Sequence, residues 1–264
     1  MRFKYGNLEK AQVRGFTFLR KCHLCGVCWM KLGFFEVPII MYIITGKYKG
    51  TAIFSPGKTI SGFRPTTGIV KESIFSVLEN ILDFAGIRVL DLYAGTGALG
   101  FEALSRGAKF VTFVEQNKKL TGCIKETARS LGIYGEACEV FSTRVEVFCK
   151  KVKTMTGLAN IETGEVGKKF QYDLIFSDAP YGCRGRMPVR LTPMCLPNIT
   201  EQEKLAKLIF GSGVIGEKAI WVLECGSDDS VAGALEFEGV IARLIKTKQF
   251  GGTSFYVYEC ESLS

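Results

Sequence analysis

The sequence predicts an α/β fold: a seven-stranded, mostly parallel sheet with helices on both faces, an antiparallel C-terminal edge and a small N-terminal β-hairpin. Three observations carry that prediction. Five apolar stretches with strand character alternate with helical patterns between residues 88 and 225. The final two stretches, Ala242 to Phe250 and Thr253 to Cys260, are separated only by Gly251-Gly252, a hairpin signal. A glycine-rich turn, Gly95-Thr96-Gly97-Ala98-Leu99-Gly100, directly follows the first alternating strand and opens a helix.

Taken in chain order, residues 1–40 stand apart. They hold seven Lys/Arg against two Glu, which is +5 of the formal +8, so residues 41–264 are only mildly basic. Such a body permits RNA binding without demanding it. Cys22-His23-Leu24-Cys25-Gly26-Val27-Cys28 looks metal-like, but structural zinc takes four ligands from two separated pairs and no matching pair follows; no metal is expected. Trp29 to Ile40 is interrupted by Lys31, Glu36 and Pro38, unlike the apolar stretch of a signal peptide. Met41 reads as the natural start, with residues 1–40 an upstream extension, poorly ordered or a matter of start-site choice.

Residues 41–66 read as the hairpin segment, with Ile43 to Thr45 and Thr51 to Phe54 flanking a glycine-bounded turn. Residues 67–264 read as the main domain. It opens on a helix after Arg64-Pro65-Thr66-Thr67, whose Val70, Ile74, Val77, Leu78, Ile81 and Leu82 share a face. The strands follow at Arg88 to Tyr93, Phe110 to Glu115, Ala137 to Ser142, Tyr172 to Asp178 and Ala219 to Cys225. Residues 156–169, rich in turn formers and without periodicity, are expected to be a surface loop.

At 264 residues and 47% apolar, the chain can bury a sizeable core. No apolar run reaches the roughly 18 residues of a membrane span. Ten cysteines without a secretory signal point to a reducing compartment and free thiols, so a cytoplasmic protein is expected.

The glycine turn admits two ligands. Gly95 to Gly100 matches the dinucleotide fingerprint, and Glu115 stands where that fingerprint places a ribose-binding acid, so a nicotinamide-dependent oxidoreductase is one reading. Asp91 argues against it, because a carboxylate would face the pyrophosphate at the helix N-terminus. S-adenosylmethionine carries an ammonium and a sulfonium and no phosphate, which turns Asp91 into a favourable partner. In both readings Gly95 and Gly97 let the backbone approach the ligand.

The fourth strand ends on Ser177-Asp178-Ala179-Pro180-Tyr181. In an open parallel sheet the ligand lies beyond the strand C-termini where strand order reverses, so these residues should project beside a transferable methyl. An exocyclic amine on a nucleobase is a poor nucleophile until acceptors orient its N–H bonds. Asp178 and the carbonyl of Ala179, held by Pro180, supply two acceptors, and Tyr181 offers a face on which an extruded base stacks. Such a site serves guanine N2 and adenine N6 alike, so DNA or RNA adenine methylation stays open on the residues alone.

Together these stretches resemble the bacterial small-subunit ribosomal RNA guanine-N2-methyltransferases of the RsmD type. The resemblance covers nearly all of residues 41–264 through "IITGKYKG", "RPTTGIVKESIFSVL", "VLDLYAGTGALGFEALSRGA", "FVEQN", "YDLIFSDAPYG" and "KQFGGTSFYVYE". It implies a Rossmann-like class I methyltransferase fold and methyl transfer from S-adenosylmethionine to a guanine of 16S RNA in the small ribosomal subunit or its assembly intermediate. A monomer is expected. Carried over by position, Thr66, Asp91, Gly95, Gly97, Glu115 and Gln116 would contact the cofactor. The family's second motif residue is commonly proline; here it is Ala179, which still supplies the carbonyl. After the third strand the sequence reads Phe141-Ser142-Thr143-Arg144, so adenine contacts fall to backbone or to a hydroxyl such as Thr143. Lys47, Lys49, Lys58, Arg64, Arg184, Arg186 and Arg190 are expected around the opening where RNA enters.

Overall fold

The computed structural model describes residues 10–13, 16–20, 27–30, 41–56, 67–162, 169–178, 201–226 and 231–263. Near the N-terminus β1 (Lys10–Val13), β2 (Phe16–Arg20) and β3 (Val27–Met30) pair antiparallel in a sheet of their own. Cys22, His23 and Cys25 lie outside the described residues, and among the described residues no cluster of metal-ligating side chains occurs.

A short hairpin follows, β4 (Met41–Tyr42) against β5 (Ala52–Ile53). Helix α1 (Gly68–Leu78) leads into β6 (Arg88–Leu92), α2 (Ala98–Ser105), β7 (Phe110–Glu115), α3 (Lys118–Ser130), β8 (Cys138–Ser142), α4 (Val145–Glu162) and β9 (Tyr172–Ser177). Helix α5 (Glu201–Phe210), β10 (Ile215–Gly226), β11 (Ala234–Phe237), β12 (Val240–Phe250) and β13 (Thr253–Ser262) complete the chain.

The main sheet runs β11-β12-β13-β10-β9-β6-β7-β8. Strands β10, β9, β6, β7 and β8 are parallel, and β13, β12 and β11 extend the sheet antiparallel. The α/β expectation therefore holds, with the strand count corrected from seven to eight. The added strand, β11, is only four residues long and is returned to β12 by a tight turn in which Glu238 and Gly239 both have positive φ (52° and 76°).

Period-two alternation divides the sheet between two cores. Val89, Val111, Phe113, Phe176, Val222 and Phe255 face α1, α2, α3 and the hairpin, whereas Leu90, Val114, Tyr172, Ile175, Trp221 and Tyr258 face α4 and α5. Each such fully buried side chain contributes about 1.5–3 kcal/mol.

Two local expectations are corrected. Helix α4 continues to Glu162 through much of the segment expected as a loop; the Thr156 hydroxyl is satisfied within it by donating to the Val152 carbonyl at 3.0 Å. On α1 the buried face is Lys71, Ile74, Phe75 and Leu78, while Val70 and Val77 only flank it. Cys123, Cys138, Cys149, Cys225 and Cys260 are free thiols, and all but Cys123 are buried. Among the described residues no helix is long and apolar enough to cross a membrane.

Candidate active site

Strand order reverses between β6 and β9: from β6 the chain builds outward through β7 and β8, and from β9 outward through β10. In an open parallel sheet such a reversal marks the crevice, beyond the strand C-termini, in which a ligand binds. Asp91 lies in β6, Glu115 ends β7, and Asp178 is one residue past β9. The pairing of Leu92 with Val114 and with Ser177 puts these strand ends side by side.

The glycine turn is built by backbone conformation. Tyr93 has φ 57°, Gly95 58° and Gly97 79°. Gly97 donates its N–H to the Ala94 carbonyl at 2.7 Å and stands as the residue before α2. A methyl group on Gly97 would lie 2.9 Å from the Phe101 ring, and one on Gly100 would lie 2.3 Å from Phe113, so both glycines serve close packing of turn and helix on β7.

Both strand-end acids brace this turn. Asp91, 3% exposed, accepts the Gly100 N–H at 3.0 Å and thereby satisfies one of the unpaired donors at the start of α2. Glu115 accepts the Gly95 N–H with one oxygen (3.0 Å) and the Asn117 N–H with the other (2.7 Å). Asn117 in turn caps α3, accepting from Lys119 at 2.9 Å. Burial raises the Asp91 pKa well above the carboxylate range; the Gly100 bond opposes this, and the nearby Asp178 and Glu115 carboxylates push it further up.

Three carboxylates thus converge on one crevice. An anion there meets like charge, and the Gly100 N–H that could hold a phosphate is already taken by Asp91. A cationic ligand relieves the repulsion. The ammonium and sulfonium of S-adenosylmethionine suit this set, and each Glu115 oxygen keeps a lone pair for a ribose hydroxyl. The residues present therefore fit that cofactor better than a dinucleotide.

The structure brings Asp91, Gly95, Gly97, Glu115 and Asp178 together. Gln116 is exposed at the β7 end, and Thr143 is half-buried just after β8. Thr66, Ala179, Pro180 and Tyr181 lie outside the described residues, as do Lys58, Arg64, Arg184, Arg186 and Arg190. Lys47 and Lys49 do not belong to the opening. Their turn is held by Ser105 at the far end of α2, with the Lys47 N–H bonded to the Ser105 carbonyl at 2.7 Å, on the side where strands begin.

Sequence reasoning missed several supporting groups. Trp221 donates its Nε1–H to Ser177 Oγ at 2.7 Å, which fixes the residue before Asp178. Tyr93 holds a left-handed conformation uncommon for a large side chain, and nothing in the sequence announced it. A buried ionic cluster joins the hairpin to the domain. Glu102 accepts the N–H groups of Ile44 (2.8 Å) and Thr45 (3.0 Å), pairs with Arg106 (3.0 Å) and faces Lys71 (3.5 Å). Lys71 donates to the Tyr42 carbonyl at 2.7 Å. Lys71 and Glu102, each within a family-like stretch, therefore serve the scaffold.

The family described as conserved hypothetical protein 95 matches residues 41–259. The ribosomal RNA small subunit methyltransferase D of Buchnera aphidicola is 34% identical over 152 residues, covering 58% of this chain and 69% of that protein. The putative rRNA methyltransferase YlbH of Bacillus subtilis is 36% identical over 141 residues, 53% of this chain and 67% of that one. Among solved structures, a putative methyltransferase of Escherichia coli superposes with a TM-score of 0.58 at 21% identity, covering 84% of this chain and 98% of its own.

Proposed function

Because the chain belongs to the family described as conserved hypothetical protein 95, which is the RsmD-type methyltransferase family, we propose that it transfers a methyl group from S-adenosylmethionine to the exocyclic N2 amine of a guanine in 16S ribosomal RNA. The observation that carries the reading is the convergence of Asp91, Glu115 and Asp178 on the crevice beyond β6, β7 and β9. A bound S-adenosylmethionine supplies an electrophilic methyl on a cationic sulfur.

The chain's own residues do the rest. Asp91 balances the positive methionine end, Gly95 and Gly97 let the backbone close on the ligand, and Glu115 accepts from the ribose. Gln116 and Thr143 border the adenosine side, and Thr66 closes over the ligand. Asp178 accepts one amine N–H and the Ala179 carbonyl the other, turning the nitrogen lone pair toward the methyl. The proton shed on methylation leaves along the bond to Asp178. Pro180 stiffens the loop, and Tyr181 stacks on the extruded base. The working unit is residues 67–264 with the hairpin segment 41–66, acting as a monomer on the small subunit or its assembly intermediate.

The test is methylation with labelled cofactor of undermethylated small subunits, naked 16S RNA and duplex DNA. Label on a guanine N2 of 16S RNA is expected; label mainly in DNA sinks the reading. Asp178→Ala should abolish transfer while S-adenosylhomocysteine still binds, and equal loss of both would mean that Asp178 belongs to cofactor binding.

A further inference from the structure

Among the described residues, β12 from Ile245 to Gln249 has no strand on its outer edge. Strand β11 pairs only with Val240 to Arg243, so beyond Arg243 no described strand bonds the outer edge of β12. Ile245, Lys246, Thr247, Lys248 and Gln249 are all exposed, although neighbours on a strand point to opposite faces. The register shifts between Leu244 and Lys246, a bulge that leaves Ile245 unpaired before the ladder with β13 resumes at Lys246.

This free edge is level with the site. Lys248 pairs with Phe255, and Phe255 with Glu224, one step past Leu223, which pairs with Ser177. Lys248 and Asp178 therefore share a row of the sheet, three strand spacings or about 14 Å apart. That offset equals roughly four stacked nucleotides at about 3.4 Å each. The cofactor residues Asp91, Gly95, Gly97 and Glu115 occupy the β6–β7 half of the crevice. A substrate must come in over the other half, which is β10, β13 and β12.

Between Ile245 and Gln249 the charged side chains, Lys246 and Lys248, are both positive, while on β10 Glu224 adds a carboxylate to the row that Lys248 and Asp178 share. Arg243 is neutralised by Glu261 at 3.0 Å, and it lies further from the site. Lys246 and Lys248 face the same way, on the side of Val257 and Phe255 that packs toward α1. An exposed strand carrying two ammonium groups suits phosphate oxygens.

We propose that the outer edge of β12 from Ile245 to Gln249 is an RNA-docking strip, where Lys246 and Lys248 hold phosphates flanking the base delivered to Asp178. The strip rests on the methyltransferase reading and adds the path by which substrate reaches the site. Exposed edge lysines also deter edge-to-edge aggregation, but a carboxylate does that equally well. Charge reversal separates the two roles.

Steady-state methylation of undermethylated small subunits by the full chain and by Lys246→Glu/Lys248→Glu tests the strip. The KM for RNA should rise on the order of tenfold, and the slope of log affinity against log salt should shrink by about 1.5–2, as for two lost phosphate contacts. The kcat at saturating RNA and the affinity for S-adenosylhomocysteine should hold, and Lys246→Arg/Lys248→Arg should behave as wild type. A wild-type protein that methylates the RNA, beside a Glu variant of unchanged KM and salt slope, overturns the strip alone. A wild-type protein that methylates no ribosomal RNA overturns the functional reading and the strip with it.

Discussion

The backbone oxygen of Ser105 occupies the place a side chain on Gly46 would need: a methyl group there would fall 1.8 Å from it. Gly46 also has φ +84°. Ser105 Oγ donates to the Thr45 carbonyl and accepts the Tyr48 N–H at 2.9 Å, so one serine holds both sides of the hairpin turn. Gly46→Ala should destabilise the protein by about 2–4 kcal/mol, from left-handed strain and the clash together. Gly50, with φ +80° and open space around it, is the control. Gly50→Ala should cost only about 1 kcal/mol. Urea unfolding of both variants gives the comparison, and equal losses would mean that the turn does not need its close approach to α2.

Glu102 is fully buried between two cations, so removing its charge leaves Lys71 without a counter-charge and Arg106 with Glu79 alone. Glu102→Gln should cost about 3–5 kcal/mol. Lys71→Met should cost less, about 1–2 kcal/mol. Arg106 and two backbone N–H groups still hold Glu102 in that variant, and burial already lowers the Lys71 pKa, with Glu102 only partly offsetting it. Denaturant midpoints at neutral pH rank the two; a larger loss for Lys71→Met would reverse the assigned hierarchy.

Asp91 sets a pH dependence. Its folded pKa is raised above the unfolded value of about 3.9. Its contribution to stability is therefore full below that value and is lost as pH rises through the raised pKa. A cationic ligand favours the ionised form, so S-adenosylmethionine affinity should strengthen across that window with release of a proton. Calorimetric titration in buffers of different ionisation enthalpy measures that proton. Asp91→Asn should bind more weakly and lose this part of the pH dependence, whereas proton uptake on binding would contradict the role given to Asp91.

Trp221 should act on Asp178 through Ser177. Trp221→Phe keeps an aromatic ring in the position that stacks on Tyr258 (centroids 5.3 Å apart) but removes the donor to Ser177. A stability loss of about 1–3 kcal/mol is expected. The kcat for methylation should fall, with KM and S-adenosylhomocysteine affinity unchanged. An unchanged kcat beside the same stability loss would make Trp221 structural only.

Much of this architecture was legible in the residues. Alternating apolar stretches placed the parallel strands to within a few residues, because a strand buried on both faces has little freedom in composition. The glycine turn with Asp91 and Glu115 was legible because steric and charge demands there act over short stretches of chain. Strand β11 was missed because four residues carry too little periodicity, and α4 was cut short because Thr156 reads as a turn residue when its back-bond to Val152 is unseen.

By itself the sequence determined the alternation of parallel strands with helices and the glycine turn, since each depends on nearby residues, whereas Glu115 reaches Gly95 from 20 positions along the chain. Only the tertiary structure decided which charges are buried. Lys71 and Glu102 come from two helices and meet under the hairpin, a pairing with no local signature, and Arg106 joins as the i,i+4 partner of Glu102. It also moved Lys47 and Lys49 away from the opening and brought Lys248 level with Asp178, with Lys246 two residues behind it. The physical reason is common to these cases: the field at a charge depends on distance through space, and distances between remote residues are fixed by packing and strand register.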